Sequence, residues 1–441
     1  MINGKITAVI ICVFAVLALI LFACESSDGK DCTVTFSLGY ATSKAPPPSI
    51  TVKSGSAAGS LFPQNPSRTA WNFQGWRGKD KKVYTQDTVI TGNVSLTANW
   101  SFIRGIENPI IRDRFTTDPA PFYDEDSDTL YIVAGEDALP PNAPSNEYFR
   151  MPRWNMYKTT DMKTFEFVGQ ILQSENFPNS SSNTAWAAQL IKGLDGKYYF
   201  YVTTHRSPNA WPYQICVATA VSVEGPYTPH SSVLITESMV SSDIGNIDNN
   251  RNIDPTVFID DDGSAYIVWA QVNPRVAKLK SNMVEIERPI KKLFQNGWKM
   301  TDPSQQYEEG PWLYKRNGKY YLFFASMRKN DAGANIAENI SYAMADSMEG
   351  PWTDGEVISG YAPGAGWQGN SFTIHPGVVD FKGLTYMFYH SQVMQLDIES
   401  NGVLWTGRNV CVDYLYFDRN GKPQFINVRI PDGLSKPPRD D

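Results

Sequence analysis

The stretch "DPTVFIDDDGSAYIVW", Asp254 to Trp269, contains the plan on which most of this 441-residue chain is built. An acidic residue precedes a short apolar strand, an Asp-Gly turn and a second, aromatic-rich strand. Two such apolar runs joined by an Asp-Gly turn are typical of a β-hairpin. The stretch therefore predicts a hairpin with a carboxylate at its entrance.

The same plan occurs five times, with starts 68, 68, 55 and 66 residues apart. The other four copies are "DPAPFYDEDSDTLYIV" from Asp118, "WAAQLIKGLDGKYYFYV" from Trp186, "EGPWLYKRNGKYYLFF" from Glu309 and "HPGVVDFKGLTYMFYHS" from His375. Each interval also has room for a second pair of strands, and a shared ending recurs as "EGPYT" and "EGPWT". Four strands per repeat around a ring define a β-propeller blade. The sequence therefore predicts an all-β fold, a five-bladed β-propeller over residues 102–441.

The repeat also predicts a site at the mouth of the ring. The first strand of each blade lies innermost, so the residues that lead into these strands should meet. Those residues are Asp118, Trp186, Asp254, Glu309 and His375. Carboxylates brought together repel one another and lose hydration, so packing does not explain three of them. The loops 137–154 and 203–214 follow inner strands, and we expect them to border the same pocket.

Convergent acids have two chemical uses. Three carboxylates and a histidine can hold calcium or a transition metal. Glycoside hydrolysis with inversion instead needs one carboxylate to activate water and one carboxylic acid to protonate the leaving oxygen. A third carboxylate beside that acid would raise its pKa. These residues alone leave both uses open.

Three motifs then resemble glycoside hydrolase family 43. They are "TTDPAPFYDED" around Asp118, "NIDPTVFIDDDG" around Asp254 and "YEEGPWLYKRNGKYYL" around Glu309, and the similarity runs from about Asn108 to Ile426. The resemblance implies a propeller that hydrolyses arabinofuranosyl or xylosyl linkages of plant glycans with inversion, by exo action or as an endo-arabinanase. It implies that Asp118 is the general base, Glu309 the general acid and Asp254 the residue that tunes the pKa and orients. No cofactor is implied for the chemistry.

The resemblance suggests roles for three more residues. Trp186 would form an aromatic wall of the sugar pocket, with propeller core as the alternative. Arg408 in "TGRNV" would reach the substrate, with a surface salt bridge as the alternative. His375 would approach a structural calcium ion, directly or through water, although "HPG" differs from the usual Gly-His-Gly or Gly-His-Asn. Glu308, one step before Glu309 in an extended chain, should face the other way as a solvated charge.

Two other functions are less consistent with the sequence. Fructan-cleaving five-bladed propellers are disfavoured because the expected Asn-Asp-Pro-Asn-Gly, Arg-Asp-Pro and Glu-Cys motifs are missing. A non-catalytic glycan-binding propeller is disfavoured by the presence of all three acids. A net charge of −7 without a long basic run excludes nucleic acid as the expected partner.

The first residues predict export and a lipid anchor. An apolar run, Ile6 to Ala23, ends in "LFAC" and is followed by polar residues. "LFAC" resembles the bacterial lipobox, in which the cysteine is acylated; an ordinary cleaved signal peptide is the alternative. We therefore expect a signal peptide over residues 1–23, lipidation of Cys24, a linker over 24–31 and attachment to the outer membrane of the cell envelope. The widely spaced cysteines predict no disulfide framework.

A small β module is predicted over residues 32–101. Strand-like alternation is interrupted by Gly, Pro and Ser. The segments Thr33 to Phe36, "FQGW" at Phe73 to Trp76 and "LTANW" at Leu96 to Trp100 resemble the Listeria-Bacteroides repeat, a β-grasp-like module. It is interpreted as a spacer between anchor and propeller, and sugar binding by its aromatic residues is the alternative.

Overall fold

The structure, a computed structural model, describes residues 29–39, 44–68, 71–102, 105–138, 149–207, 210–245, 251–295, 297–360, 373–391, 395–396, 405–427 and 432–439. The chain divides into two compact units at residues 103 and 104, and the residues from Pro437 onward group with the first unit. The predicted signal peptide and Cys24 lie outside the described residues. Within the described ranges, no helix has the length and apolar character required to cross a bilayer.

The N-terminal unit is built on a five-stranded mixed sheet in the order β2-β1-β7-β4-β5, with β1 parallel to β7. Its strands are β1 Asp31–Ser37, β2 Ile50–Lys53, β3 Ser56–Ala57, β4 Trp71–Arg77, β5 Val83–Tyr84, β6 Val89–Ile90 and β7 Val94–Phe102. Alternation in β1 buries Val34 and Phe36 on one face, where Phe36 packs edge-on against the buried Trp76. The assignment of this unit to a repeat family stays a prediction.

Among the described residues, the second unit contains 23 strands, one α-helix and two 3-10 helices, Ser174–Asn176 and Gly433–Ser435. The strands of its first two sheets are β8 Thr116–Asp124, β9 Thr129–Glu136, β10 Arg153–Thr159, β11 Glu166–Gln173, β12 Ala188–Lys192, β13 Tyr198–Ser207, β14 Ala210–Ala220 and β15 Thr228–Pro229. After helix α1, Glu237–Ile244, the next two sheets contain β16 Thr256–Ile259, β17 Ala265–Trp269, β18 Arg275–Leu279, β19 Ile286–Lys292, β20 Gln305–Arg316, β21 Lys319–Lys329, β22 Asn335–Ala345 and β23 Glu356–Val357. The remaining strands are β24 Ser359–Gly360, β25 Gly377–Phe381, β26 Leu384–Ser391, β27 Gln395–Leu396, β28 Trp405–Thr406, β29 Asn409–Tyr414 and β30 Ile426–Asn427.

Five antiparallel sheets confirm the five predicted blades. Four have four strands in chain order, β8 to β11, β12 to β15, β16 to β19 and β20 to β23, and the fifth pairs β25, β26 and β29 in its described residues. Each of the five predicted hairpins supplies the first two strands of one sheet. The fold is therefore the predicted five-bladed β-propeller.

Apolar clusters between neighbouring blades close the ring. Trp154 of the first blade packs edge-on against Phe200 of the second, and Tyr201 shares a cluster with Trp269 of the third. On the other side of the ring, Ile132 and Phe388 belong to one cluster that joins the first blade to the fifth. Burying such side chains contributes about 1.5–3 kcal/mol each. The five inner strands are thereby held around one channel.

The acids lie where the inner strands depart from regular geometry. The β8–β9 register shifts between Thr117 and Ala120, and the β20–β21 register shifts on both sides of Glu309. Bulges of this kind change the direction of a side chain. Asp118 and Asp254 have φ values of 50° and 58°, in the left-handed region that costs non-glycine residues energy. The backbone is thus strained at two of the five entrances.

Candidate active site

All five predicted entrance residues line one open cavity of about 290 Å³. Asp118, Asp254, Glu309 and His375 are buried, each no more than 8% exposed, whereas Trp186 is half-buried. A larger depression of about 570 Å³, lined by residues from Val272 to Tyr307, contains no carboxylate, so cavity size does not locate the chemistry. The convergence predicted from the repeat register is confirmed.

His375 lies between the three carboxylates. Its Nδ1 is 3.5 Å from Asp118 Oδ1, and its Nε2 is 3.3 Å from Glu309 Oε1 and 3.7 Å from Asp254 Oδ2. Burial disfavours the charged ring, but the surrounding acids, Asp118 first, raise the pKa of His375 to about 10. The ring is therefore a cation at neutral pH and offsets part of the repulsion among the acids.

Asp118 is held as an ionised carboxylate. Burial opposes its ionisation, but His375, Arg408 and His390 together lower the pKa of Asp118 below its usual value. Thr117 Oγ1 donates a hydrogen bond to Asp118 Oδ1 at 2.8 Å, and the Asp118 N–H donates to His390 Nδ1 at 3.1 Å. Asp118 thus has the charge state that a general base requires.

Asp254, in contrast to Asp118, ionises less readily than an ordinary aspartate. Its burial, together with the charges of Glu309 and Asp118, raises the pKa of Asp254 to about 7 although His375 acts against this. Its N–H donates to Thr203 Oγ1 at 2.8 Å, and its Oδ2 accepts from the Gly310 N–H at 3.0 Å. Asp254 thus connects the second, third and fourth blades at the site.

Arg408 lies in a buried ion pair, so the surface salt bridge that sequence left open is wrong. It is 2% exposed, and its Nε and Nη2 donate to the two carboxylate oxygens of Asp137 at 2.9 and 2.6 Å. Its Nη1 donates to Thr373 at 3.0 Å and lies 3.9 Å from Asp118 Oδ1. Burial opposes its charge, but Asp137 raises the pKa of Arg408 above its usual value. Arg408 therefore adds a fixed positive charge beside Asp118.

Trp186 belongs to an aromatic wall of the cavity. Its indole N–H donates to the Phe149 carbonyl at 3.0 Å, and its ring lies parallel to that of His205 with centroids 6.0 Å apart. Tyr213 packs beside it at 5.0 Å. Phe149 and Tyr213 come from the two segments predicted to border the pocket, and both line the cavity. The second segment was predicted as a loop, but its described residues belong to β13 and β14, which extend to the pocket.

The prediction for Glu308 is wrong. It is half-buried, lines the same cavity as Glu309, and accepts a hydrogen bond from Gln271 Nε2 at 3.1 Å. Burial and the charge of Glu309 raise the pKa of Glu308 to about 7. The expected alternation fails because the register of β20 shifts between Tyr307 and Glu309.

Four site residues were missed by sequence reasoning. They are Asp137, Gln271, Glu338 and His390. Glu338 is 3% exposed in the middle of β22 and accepts from the Ile374 N–H at 2.9 Å, so it holds the segment that carries His375. Burial and then the charge of Glu309 raise the pKa of Glu338 well above its usual value. The available signal was a polar residue within or just after an apolar strand, because buried polar side chains need partners.

One set of side chains could in principle bind a metal ion in the described part of the chain. Asp254, Glu309 and His375 each offer one ligand atom, and these atoms lie within 4.8 Å of one another. Calcium prefers six to eight oxygen ligands, whereas this set has one nitrogen and two carboxylates. The imidazole also keeps its proton beside the acids. The residues therefore fit calcium poorly, and no step is derived through a metal.

The propeller and its converging acids define a glycoside hydrolase. Residues 106–423 match the glycosyl hydrolases family 43, and the chain belongs to this family. A xylosidase/arabinosidase of Bacteroides ovatus is 26% identical over 63% of this chain and 84% of its own length. An extracellular endo-α-(1→5)-L-arabinanase of Bacillus subtilis is 27% identical over 57% of this chain and 52% of its own length.

Solved structures support the fold. A β-xylosidase/α-arabinofuranosidase from a compost microbial metagenome, in a calcium-free complex with xylotriose, has a TM-score of 0.57 and 22% identity over 74% of this chain and 98% of that chain. An α-L-arabinofuranosidase from Clostridium thermocellum has a TM-score of 0.53 and 24% identity over 73% of this chain and 97% of that chain. At this identity the likeness concerns the fold alone.

Proposed function

We propose that this protein hydrolyses arabinosyl or xylosyl linkages of plant polysaccharides or oligosaccharides with inversion of the anomeric carbon. The observation that carries the proposal is the contact of His375 with Asp118, Asp254 and Glu309 in one cavity. The relatives named as xylosidase/arabinosidase and arabinanase support this substrate class.

The proposed reaction needs only side chains of this chain and one water. Asp118 takes a proton from the water, whose oxygen forms a bond to the anomeric carbon. The bond from that carbon to the leaving oxygen breaks with its electron pair on the oxygen, which receives a proton from Glu309. Asp254 orients Glu309 through the hydrogen bond that its Oδ2 accepts from the Gly310 N–H, and it is only partly ionised at neutral pH because its pKa is about 7. The low pKa of Asp118 supports its role as base.

Two residues are proposed to act on the sugar, Trp186 by contact and Arg408 by its charge. The half-buried indole of Trp186 offers an apolar surface to the C–H face of a sugar. Arg408 lines the cavity, but its donors already serve Asp137 and Thr373, so it acts on the substrate chiefly through its charge near Asp118.

The proposal is tested by release assays on p-nitrophenyl arabinofuranoside and xyloside and on arabinan, arabinoxylan and xylan. Wild-type protein is expected to cleave at least one of them. Glu309→Gln is expected to lower turnover of the polymer by about 10²-fold or more with the unfolding temperature retained. Undiminished turnover in that variant would remove Glu309 from the role of acid.

We also propose that acylated Cys24 anchors the protein to the outer membrane, with the N-terminal unit as a spacer. The sequence "LFAC" supports this. Cys24→Ser is expected to move the protein from the membrane fraction to the soluble fraction of cells. Unchanged fractionation would rule out the anchor.

A further inference from the structure

We propose that Gln271 is a positioning residue that orients the carboxyl group of Glu309 and stabilises the carboxylate that remains after its proton has passed to the leaving group. The inference rests on the proposed role of Glu309 as general acid. Gln271 lies two residues after β17 in the third blade, whereas Glu309 belongs to the fourth. The contact therefore joins the acid to a neighbouring blade.

One amide group of Gln271 serves both adjacent glutamates. Gln271 Nε2 donates to Glu309 Oε2 at 3.0 Å and to Glu308 Oε1 at 3.1 Å. The next residue is tied to the same strand, because the Val272 N–H donates to the Glu308 carbonyl at 2.7 Å. The side chain of Gln271 and the backbone of Val272 thus both hold the part of β20 that carries Glu309.

The orientation of the Gln271 amide follows from its other neighbour. Arg251 Nη1 contacts Gln271 Oε1. A guanidinium has donors only, so the oxygen of the amide must face Arg251 and the NH2 group must face the glutamates. The usual ambiguity between the two ends of an amide is removed here.

This orientation directs a hydrogen-bond donor at one oxygen of Glu309. Oε2 already accepts an N–H from Gln271, so a hydroxyl hydrogen on the same side would face another donor. Oε1 lies 3.3 Å from Nε2 of the His375 cation, so both oxygens face donors and the carboxyl group is held in one orientation. When Glu309 gives its proton to the leaving oxygen, it becomes a carboxylate. The hydrogen bond from Gln271 then becomes charge-assisted and stronger.

A bond that strengthens during the reaction affects turnover more than binding. It also matters most for leaving groups that need protonation. A sugar alkoxide is a poor leaving group, whereas 2,4-dinitrophenolate leaves with little help from an acid. The fall in kcat caused by substituting Gln271 should therefore depend on the leaving group.

The test compares Gln271→Met with wild type on a disaccharide and on the 2,4-dinitrophenyl glycoside of the same sugar. We expect kcat on the disaccharide to fall about 10- to 100-fold with KM within about threefold, and kcat on the aryl glycoside to fall less than about threefold. Gln271→Asn, which keeps an amide on a shorter side chain, should show the same dependence with a smaller loss and serves if Gln271→Met does not fold.

The matched control is Gln306→Met. Gln306 Nε2 donates to Glu308 Oε2 at 3.5 Å, so the same substitution removes an amide beside Glu308. Its kcat should stay within about twofold of wild type. The inference would be overturned if kcat fell equally for both leaving groups, or if the Gln271 and Gln306 variants had the same kcat. Neither result would contradict the proposed hydrolase function. Failure of wild type on both substrates would instead refute the proposed function, and this inference with it.

Discussion

Asp118 and Asp254 share a left-handed backbone conformation at equivalent entrances of the first and third blades, with φ values of 50° and 58°. Of the non-glycine residues, asparagine and aspartate adopt this region at the lowest cost. The acid at these positions therefore serves both the chemistry and the backbone.

Asparagine and alanine substitutions separate these two requirements. Both remove the charge, so Asp118→Asn and Asp118→Ala should both be inactive, but the alanine variant should be less stable by about 1 kcal/mol. The same order is expected at Asp254. At Asp346, which lies outside the left-handed region, asparagine and alanine should differ little. Urea unfolding measures the stability of all six variants. If the asparagine and alanine variants were equally stable at both 118 and 254, the proposed backbone role of the two aspartates would be contradicted.

A glycine is predicted to be required at position 310 because a side chain there would be too close to the imidazole of His375. A Cβ on Gly310 would lie 3.0 Å from His375 Cγ, and the φ of Gly310 is 61°. Gly318 has a φ of 75°, but a Cβ there would meet nothing within 4 Å. Both alanine variants should lose about 1–2 kcal/mol from the backbone. Gly310→Ala should lose more than Gly318→Ala and should also lower kcat.

Thermal unfolding and steady-state kinetics distinguish these effects. If Gly310→Ala matched Gly318→Ala in both stability and kcat, close packing of His375 against Gly310 would be refuted.

His375 is predicted to stay protonated well above neutral pH. The chain has four histidines, so ¹⁵N-histidine labelling gives a readable spectrum, and His375→Gln assigns the signal. The ring of His375 should titrate near pH 10, whereas burial lowers the pKa of His205. Titration of His375 near its reference pKa of about 6.5 would contradict the charge assignment.

The same shift has a consequence for stability. The folded-state pKa of His375 is raised, so its contribution is fully present below about pH 6.5 and is lost as the pH rises towards 10. Asp254 acts in the same direction, since its raised pKa favours the folded state at low pH and this benefit is lost by about pH 7. The free energy of unfolding should therefore fall from about pH 4 to pH 7 through Asp254 and from about pH 6.5 to pH 10 through His375.

The buried pair of Arg408 and Asp137 is predicted to be costly to break. Asp137→Ala leaves a buried guanidinium without its partner and should cost about 3–5 kcal/mol. Glu224→Ala removes a partner of Lys158 at 3.0 Å on the surface and should cost less than about 1 kcal/mol. Urea unfolding measures both losses, and comparable values would contradict a buried role for Arg408.

The repeat made much of the site predictable. Equivalent positions in five hairpins must converge once the ring closes, so Asp118, Glu309 and His375 could be placed together without coordinates. Gln271 and Glu338 could not, because they lie after the second strand or within the third strand of a blade, where no repeat fixes a position near the channel. Glu308 was misplaced because strict alternation does not survive a bulge.

Proton NMR of the first sugar released tests the central claim most directly. The account predicts inversion, so a β-xyloside should release α-xylose and an α-arabinofuranoside should release the β-anomer before mutarotation. The wild-type spectrum should show this anomer within the first turnovers, and Asp118→Asn should release none. Release of the retained anomer would contradict water activation by Asp118 and require a covalent intermediate instead.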